Sequence, residues 1–154
     1  MLRTFLGRIR YRCWQFKQVL FPKIDAELWR EALNFLPESW RLYLQRLRPS
    51  ERAHVLRVYS AVKSDTVLEK NERELLMLLA LAHDLGKGET RHSLLSKVAK
   101  VIFPVSNAAH CIAGARILRK LKADRQLVRL VLRHHQKDPS DLLLKKFQDY
   151  DDRL

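Results

Sequence analysis

Cysteine is scarce in this chain. Cys13 and Cys111 are too few and too isolated for a disulfide framework, and no CxxC pair exists. Any metal chemistry therefore falls to histidine and carboxylate, and a reducing, cytoplasmic compartment is expected. Glycine and proline are sparse too, four and five in 154 residues, which fits a helical protein better than one of many short strands and turns. No run approaches the roughly 18 apolar residues of a membrane span. Arg8, Arg10 and Arg12 interrupt the apolar core that a signal peptide would need. Internal repeats, low-complexity stretches and an obvious linker are also lacking.

What is present reads as helix. The apolar share is 47%, and Leu, Ala, Arg, Lys and Glu all favour helix over strand, so the class expected is all-α. By length this is one domain, able to bury about two-thirds of the surface its unfolded form exposes, so no metal is required merely for folding. Thirty Lys and Arg against 17 Asp and Glu give a formal charge of +13. Such a field attracts anions, whether a nucleotide, a nucleic-acid backbone or an acidic membrane surface, without naming one. A solvated basic surface accounts for it equally well. The basic clusters, Arg3 to Lys23 and Arg116 to Lys122, lack the aromatic and glycine interleaving of a nucleic-acid module.

Leu2, Phe5, Leu6, Ile9, Trp14 and Phe16 recur at three- and four-residue steps, predicting an amphipathic helix that ends near Phe21-Pro22. Packing on the domain is its expected use, with a peripheral membrane contact as the alternative. Asp25 caps a short helix carrying Leu28, Trp29, Ala32 and Leu33. Pro37 suits the first turn of the next, which places Trp40, Tyr43, Leu44 and Leu47 on one face. Pro49-Ser50 starts a helix whose stripe of Val55, Val58 and Val62 sets His54 facing inward. Asn71 with Glu74 forms a capping-box-like start for a helix running to His83-Asp84, and Gly86 marks its end. A further helix is expected from Ser93 to Phe103. Asn107 caps one bearing His110, Asp124 caps one ending at His134-His135, and Pro139-Ser140 opens the last. Residues 1–48 then form a helical extension packed on a core of residues 49–154.

The most informative feature is the run Leu78 to Lys87, where an apolar helix ends in His83, Asp84, Gly86 and Lys87. Adjacent helical residues diverge by about 100°, so His83 and Asp84 can reach one site only where the backbone turns away at a helix end. His54 lies upstream, while His110, His134 and His135 follow at intervals of about one helix pair and Asp151 closes the series. Taken singly, His54 reads as a hydrogen-bonded core histidine and Lys87 as a solvated helix-end lysine. Together they read as a metal site. Imidazole suits Mn, Fe, Co, Ni or Zn, with Mg as the alternative for an oxygen-dominated shell. Cys111 adjoins a candidate ligand but reads as a buried structural thiol, and His92 as a loop residue.

The ordered set resembles the HD-domain superfamily of metal-dependent phosphohydrolases, over roughly residues 50 to 154. The matching segments run from Glu51 to Val58, Ala82 to Lys87, Ala109 to Ala115, Leu132 to Gln136 and Phe147 to Asp152. The resemblance implies that His54, His83, Asp84 and Asp151 hold one metal ion. It also implies that His110 with His134 or His135 holds a second, with Asp84 bridging. Two ions about 3.5–4 Å apart can share a water, lower its pKa and hold phosphoryl oxygens for in-line attack. Lys87, and Arg57 as a second candidate, would then offer a cation to the substrate phosphate. Asp151 is preferred to Asp149 and Asp152 because Gln148 aligns with the family's closing leucine-glutamine-x-alanine-aspartate pattern, with Phe147 and Tyr150 replacing leucine and alanine.

The implied activity is hydrolysis of a phosphomonoester or phosphodiester, with a nucleotide as the expected substrate. Gln136-Lys137-Asp138-Pro139 follows the histidine pair where HD-GYP cyclic-di-GMP phosphodiesterases carry a glutamate and a glycine-tyrosine-proline segment, so that substrate is disfavoured. The chain is also too short to resemble a full (p)ppGpp synthetase-hydrolase. Two alternatives remain: a metal- or anion-binding regulatory module without efficient turnover, and a di-iron oxygenase.

Overall fold

Asp25 turns the chain into its first described helix, its carboxylate accepting from the backbone N–H groups of Glu27 at 2.9 Å and Leu28 at 3.0 Å. The computed structural model describes residues 22–89 and 108–154. The expected N-terminal amphipathic helix, Cys13, His92, the Ser93–Phe103 helix and the Asn107 cap lie outside the described residues. Within them the chain forms seven α-helices and one 3₁₀ turn, with no strand. The helices are α1 (Ala26–Phe35), α2 (Glu38–Gln45), α3 (Pro49–Ser64), α4 (Lys70–Ala82), α5 (Ala108–Lys120), α6 (Arg125–Arg133) and α7 (Leu142–Arg153). The 3₁₀ turn, Leu85–Gly88, follows α4 directly. No helix among the described residues is long and apolar enough to cross a membrane.

Helix α4 is the axis of the assembly. Leu76, Leu79, Ala80, Leu81 and Ala82 are all fully buried, so its second half is covered on every side. Helices α3, α6 and α7 pack on it, and the 3₁₀ turn lies against α5. Ala32, Leu36, Trp40, Leu44 and Leu47, from α1, α2 and the segments after them, belong to the same apolar cluster as the later helices. Glu31 ties α1 to α3, accepting from the Tyr59 hydroxyl at 2.9 Å and pairing with the Lys63 ammonium at 2.6 Å. The Tyr150 hydroxyl of α7 hydrogen-bonds Asp65 at the end of α3.

Several starts fall where local chemistry places them. Pro49 occupies the first turn of α3, and the Glu51 carboxylate reaches back to the Arg48 N–H at 3.0 Å. Asp124 caps α6, accepting from the Gln126 N–H at 2.7 Å.

Four expectations need correction. Pro37 is the residue before α2 rather than part of its first turn. Helix α4 begins at Lys70 and not at an Asn71 capping box, because Arg73 anchors the entry by donating to the Leu68 carbonyl at 2.8 Å while Leu68 is buried. Helix α7 begins after Asp141 rather than at Pro139-Ser140, since the Asp141 carboxylate accepts from Leu143 and Leu144.

Gly86 does not end α4 by a left-handed cap: the helix stops at Ala82 and no glycine among the described residues has positive φ. Its function is steric. A Cβ there would stand 2.0 Å from the His110 carbonyl oxygen and 2.6 Å from the Gly114 nitrogen. The two glycines let the 3₁₀ turn and α5 cross at backbone contact, which carries His110 toward His83.

Candidate metal centre

Each metal-ligand candidate projects from an element whose ending or packing aims it inward. His83 closes α4 with helical backbone angles, and Asp84 follows at φ −102° and ψ 3°, outside the helix. That break resolves the angular conflict between adjacent residues, and both side chains point into the same buried space, each 1% exposed. His134 closes α6 as His83 closes α4. The last carbonyls of a helix lack intrahelical partners. Both histidines meet one three residues back: His83 Nδ1 lies 2.9 Å from the Ala80 carbonyl and His134 Nδ1 lies 2.7 Å from the Val131 carbonyl. A ring that donates Nδ1–H to a carbonyl directs Nε2 the other way, which is how outer hydrogen bonds orient metal-binding histidines. The sequence reading missed both carbonyls. Their signal was a histidine at a helix end with an apolar residue three positions earlier.

The first group gathers around two carboxylates. Asp151 Oδ1, on α7, is 2.8 Å from His54 Nε2 on α3 and 3.4 Å from His83 Nε2. Asp84 Oδ2 is 3.5 Å from His83 Nε2 and 2.6 Å from the Lys87 ammonium. Asp149 and Asp152 are exposed, so Asp151 is the aspartate that this packing brings in. Phe147 packs edge-on against the His83 ring with centroids 5.4 Å apart.

The second group is built from imidazoles and a thiol. His110 Nε2 is 3.4 Å from His134 Nε2, and the His135 ring centroid lies 5.1 Å from that of His110 and 4.1 Å from that of His134. His134 and His135 are therefore both present. Cys111 Sγ lies 3.8 Å from His110 Nε2, a contact that the sequence reading did not foresee. Asp84 faces both groups, since its other oxygen, Oδ1, is 3.6 Å from His110 Nε2.

The electrostatics of the groups differ. Burial pulls His83 down, but the Asp84 and Asp151 carboxylates outweigh it and lift the imidazole to about 9. Burial alone would raise Asp84 and Asp151, yet the surrounding cations hold both well below the usual carboxylate range, His83 foremost. Lys87 is raised because Asp84 overcomes its desolvation. In the second group burial pushes His110 down to about 4 and His134 to about 3, with neighbouring cationic groups acting in the same sense. His135 is lowered for the same first reason. Neutral imidazoles here keep lone pairs available at ordinary pH, and ionised carboxylates there await a cation.

One test of fit comes from unsatisfied atoms. His83 Nε2 and Asp84 Oδ1 are buried without a hydrogen-bond partner. A buried polar atom left this way is costly, of the order of 1–3 kcal/mol. An ion held by His54, His83 and Asp84, whose ligand atoms lie within 4.8 Å of one another, would satisfy them. The donor set fits a divalent ion.

The family model of the HD domain matches residues 52–154. The chain belongs to the HD-domain family. The family's superfamily is one of metal-dependent phosphohydrolases, which supports hydrolase character at that coarse level. No curated protein and no solved structure gives a significant match. In this HD domain Gln148 donates to the carbonyls of His134 and Gln136, at 2.8 and 2.9 Å, and so ties α7 to the segment after α6. Arg57 donates from Nε to the Leu154 carbonyl at 3.3 Å, a contact that directs this nitrogen toward the end of α7.

Proposed function

We propose that this HD domain is a metal-dependent phosphohydrolase acting on a phosphomonoester or phosphodiester, with a nucleotide as substrate. One observation carries the reading: His83 Nε2 and Asp84 Oδ1 are unsatisfied in the buried centre where His54, Asp151 and His110 also point. His54, His83, Asp84 and Asp151 would hold one divalent transition-metal ion. His110, His134 and His135 offer donors for a second, with Asp84 between the two. A bound ion would polarise a phosphoryl oxygen and lower the pKa of a water.

The chain's own residues do the remaining work. Ala80 and Val131 orient His83 and His134 through their carbonyls. Asp84, buried, and Asp151, partly buried, both ionised, supply the negative charge that retains a cation and the acceptor atoms that position a water. Lys87 has a third of its side chain exposed while its ammonium lies on Asp84, so it stands at the edge of the centre with a positive charge for an anionic substrate oxygen. Arg57 is the second candidate for that contact, with its Nε donating to the Leu154 carbonyl. The overall charge of +13 favours encounter with an anionic substrate.

The test is metal content and phosphate release measured together on protein purified without chelator. Nucleoside monophosphates, cyclic nucleotides and an aryl phosphodiester form the panel, with Asp84→Ala beside wild type. Release that vanishes in the variant together with bound metal supports the proposal. Release retained by Asp84→Ala refutes the catalytic assignment. A second reading has its own observation: exposed Arg116, Arg119, Lys120, Lys122, Arg125 and Arg129 gather along α5, the turn after it and α6. Salt-sensitive binding of nucleic acid that survives Asp84→Ala, without turnover, would favour a regulatory module.

A further inference from the structure

We propose that Cys111 is a metal ligand, forming with His110, His134 and His135 a soft-ion site of zinc type beside the carboxylate-bearing group around Asp84. The inference rests on reading these histidines as ligands and is independent of whether the chain turns over a phosphate ester.

Consecutive residues on a helix do not ordinarily aim at one point. Here, in the first turn of α5, they do. One ligand atom from each of His110, Cys111, His134 and His135 lies within 4.8 Å of the others. Two of the separations are close to those an ion would impose. With metal–nitrogen bonds of about 2.0–2.1 Å and a metal–sulfur bond of about 2.3 Å, tetrahedral geometry places nitrogen ligands about 3.3 Å apart and nitrogen and sulfur about 3.6 Å apart. His110 Nε2 and His134 Nε2 are 3.4 Å apart, and Cys111 Sγ is 3.8 Å from His110 Nε2. A weak S–H bond to His110 would account for the sulfur distance alone. It gives no reason for His134 and His135 to gather at the same point.

The position also suits an ion held rather than exchanged. Cys111 is 3% and His134 1% exposed, while His135 lies on the exposed side where an ion could enter. Three imidazoles and a thiolate make a softer set than the mixed histidine and carboxylate group beside them, and they select zinc-like ions over manganese or magnesium. Binding replaces the S–H bond by an S–metal bond, with the proton passing to solvent and no change of oxidation state. Four protein ligands also close a tetrahedral shell, which leaves no open position for a water. An ion at Cys111 therefore supports the fold and the charge of the centre, and hydrolysis falls to the Asp84 group. Asp84 Oδ1, 3.6 Å from His110 Nε2, is the donor that would stand in for Cys111 if this ion worked on substrate instead.

The test loads the full-length chain, freed of metal, with Co(II) and reads its absorption. Wild type is expected to show a thiolate-to-cobalt charge-transfer band in the near ultraviolet that disappears in Cys111→Ser and persists in Cys13→Ser. In zinc titrations against a competing chelator, Cys111→Ser should bind one zinc equivalent more weakly by at least about 10–100-fold, the loss typical of even an outer partner of a ligand. Bound cobalt without the band, or a band surviving in Cys111→Ser, overturns the role of Cys111 and leaves the histidine-aspartate reading standing. A chain that takes up no cobalt overturns both. Should the serine variant not fold, the wild-type and Cys13→Ser spectra still decide, because the chain has two cysteines.

Discussion

One added methyl group at position 86 should damage both the fold and the metal centre. A Cβ on Gly86 would meet the His110 carbonyl oxygen at 2.0 Å, the Gly114 nitrogen at 2.6 Å and the His110 carbonyl carbon at 2.9 Å. All three are backbone atoms of α5, so no side chain can rotate out of the way. Real Cβ contacts do not fall below 3.0 Å, and the crossing elements must therefore separate by about 1 Å. Overpacking costs about 1–3 kcal/mol where neighbours can yield, and a backbone-to-backbone clash belongs at the upper end or above it. With a urea slope of about 1–3 kcal/mol per M, a loss of about 3 kcal/mol lowers the unfolding midpoint by about 1–3 M. The same displacement moves His110 away from Asp84 and His134, whereas ligand distances tolerate only about ±0.2 Å. The assay is urea unfolding of metal-free protein together with zinc titration, for Gly86→Ala beside Gly88→Ala. At Gly88 the nearest atom to an added Cβ is the side-chain Cβ of Arg46 at 3.3 Å, so a much smaller loss is expected. Equal stability and equal zinc affinity in the two variants would refute the close crossing as the device that positions His110.

Other outcomes are equally definite. Asp151→Ala removes the carboxylate 2.8 Å from His54 and 3.4 Å from His83, and should weaken manganese binding by at least about tenfold in calorimetry, whereas exposed Asp152→Ala should leave it unchanged. Lys122 closes α5 at φ 55°, with its N–H on the Arg119 carbonyl and that of Ala123 on the Leu118 carbonyl, the bonding of a cap that favours glycine. Lys122→Gly should raise stability by about 0.5–1 kcal/mol in urea unfolding, and a loss would contradict this account of the turn. In chelated protein, Asp84 and Asp151 raise His83 from 6.5 to about 9, so its stabilising contribution is full below the lower value and lost as pH climbs past the higher. Chelated protein should therefore lose stability over that window. Metal-loaded protein, in which the ion replaces the proton, should not; identical pH profiles would count against His83 as a ligand.

The chemistry of the centre was legible because it is written in residue types. His54, His83, Asp84, His110, His134, His135 and Asp151 stood out by order and spacing, and all seven converge. Caps such as Asp25 and Asp124 were legible too, since a cap acts over two or three residues. Neighbouring features misled where a distant partner competed. Asn71 and Glu74 have the spacing of a capping box, but Arg73 and the buried Leu68 fix the start of α4. Gly86 looked like a helix stop, but its hydrogen atom is needed by a helix more than twenty residues away in sequence.

The chain by itself thus determined the all-helical class, the identities of the candidate ligands and the need for a helix end near His83-Asp84. Those follow from propensity, periodicity and donor chemistry, which operate within a turn or two of helix. Only the tertiary structure brings Asp151, already preferred on the resemblance, onto His54, and it alone decided how both helix-end histidines are aimed, that Asp84 faces two groups, and that Cys111 belongs to one of them. Asp151 reaches His54 across 97 positions of sequence. Such a meeting depends on how α3, α6 and α7 pack around α4, and no local rule reaches that far.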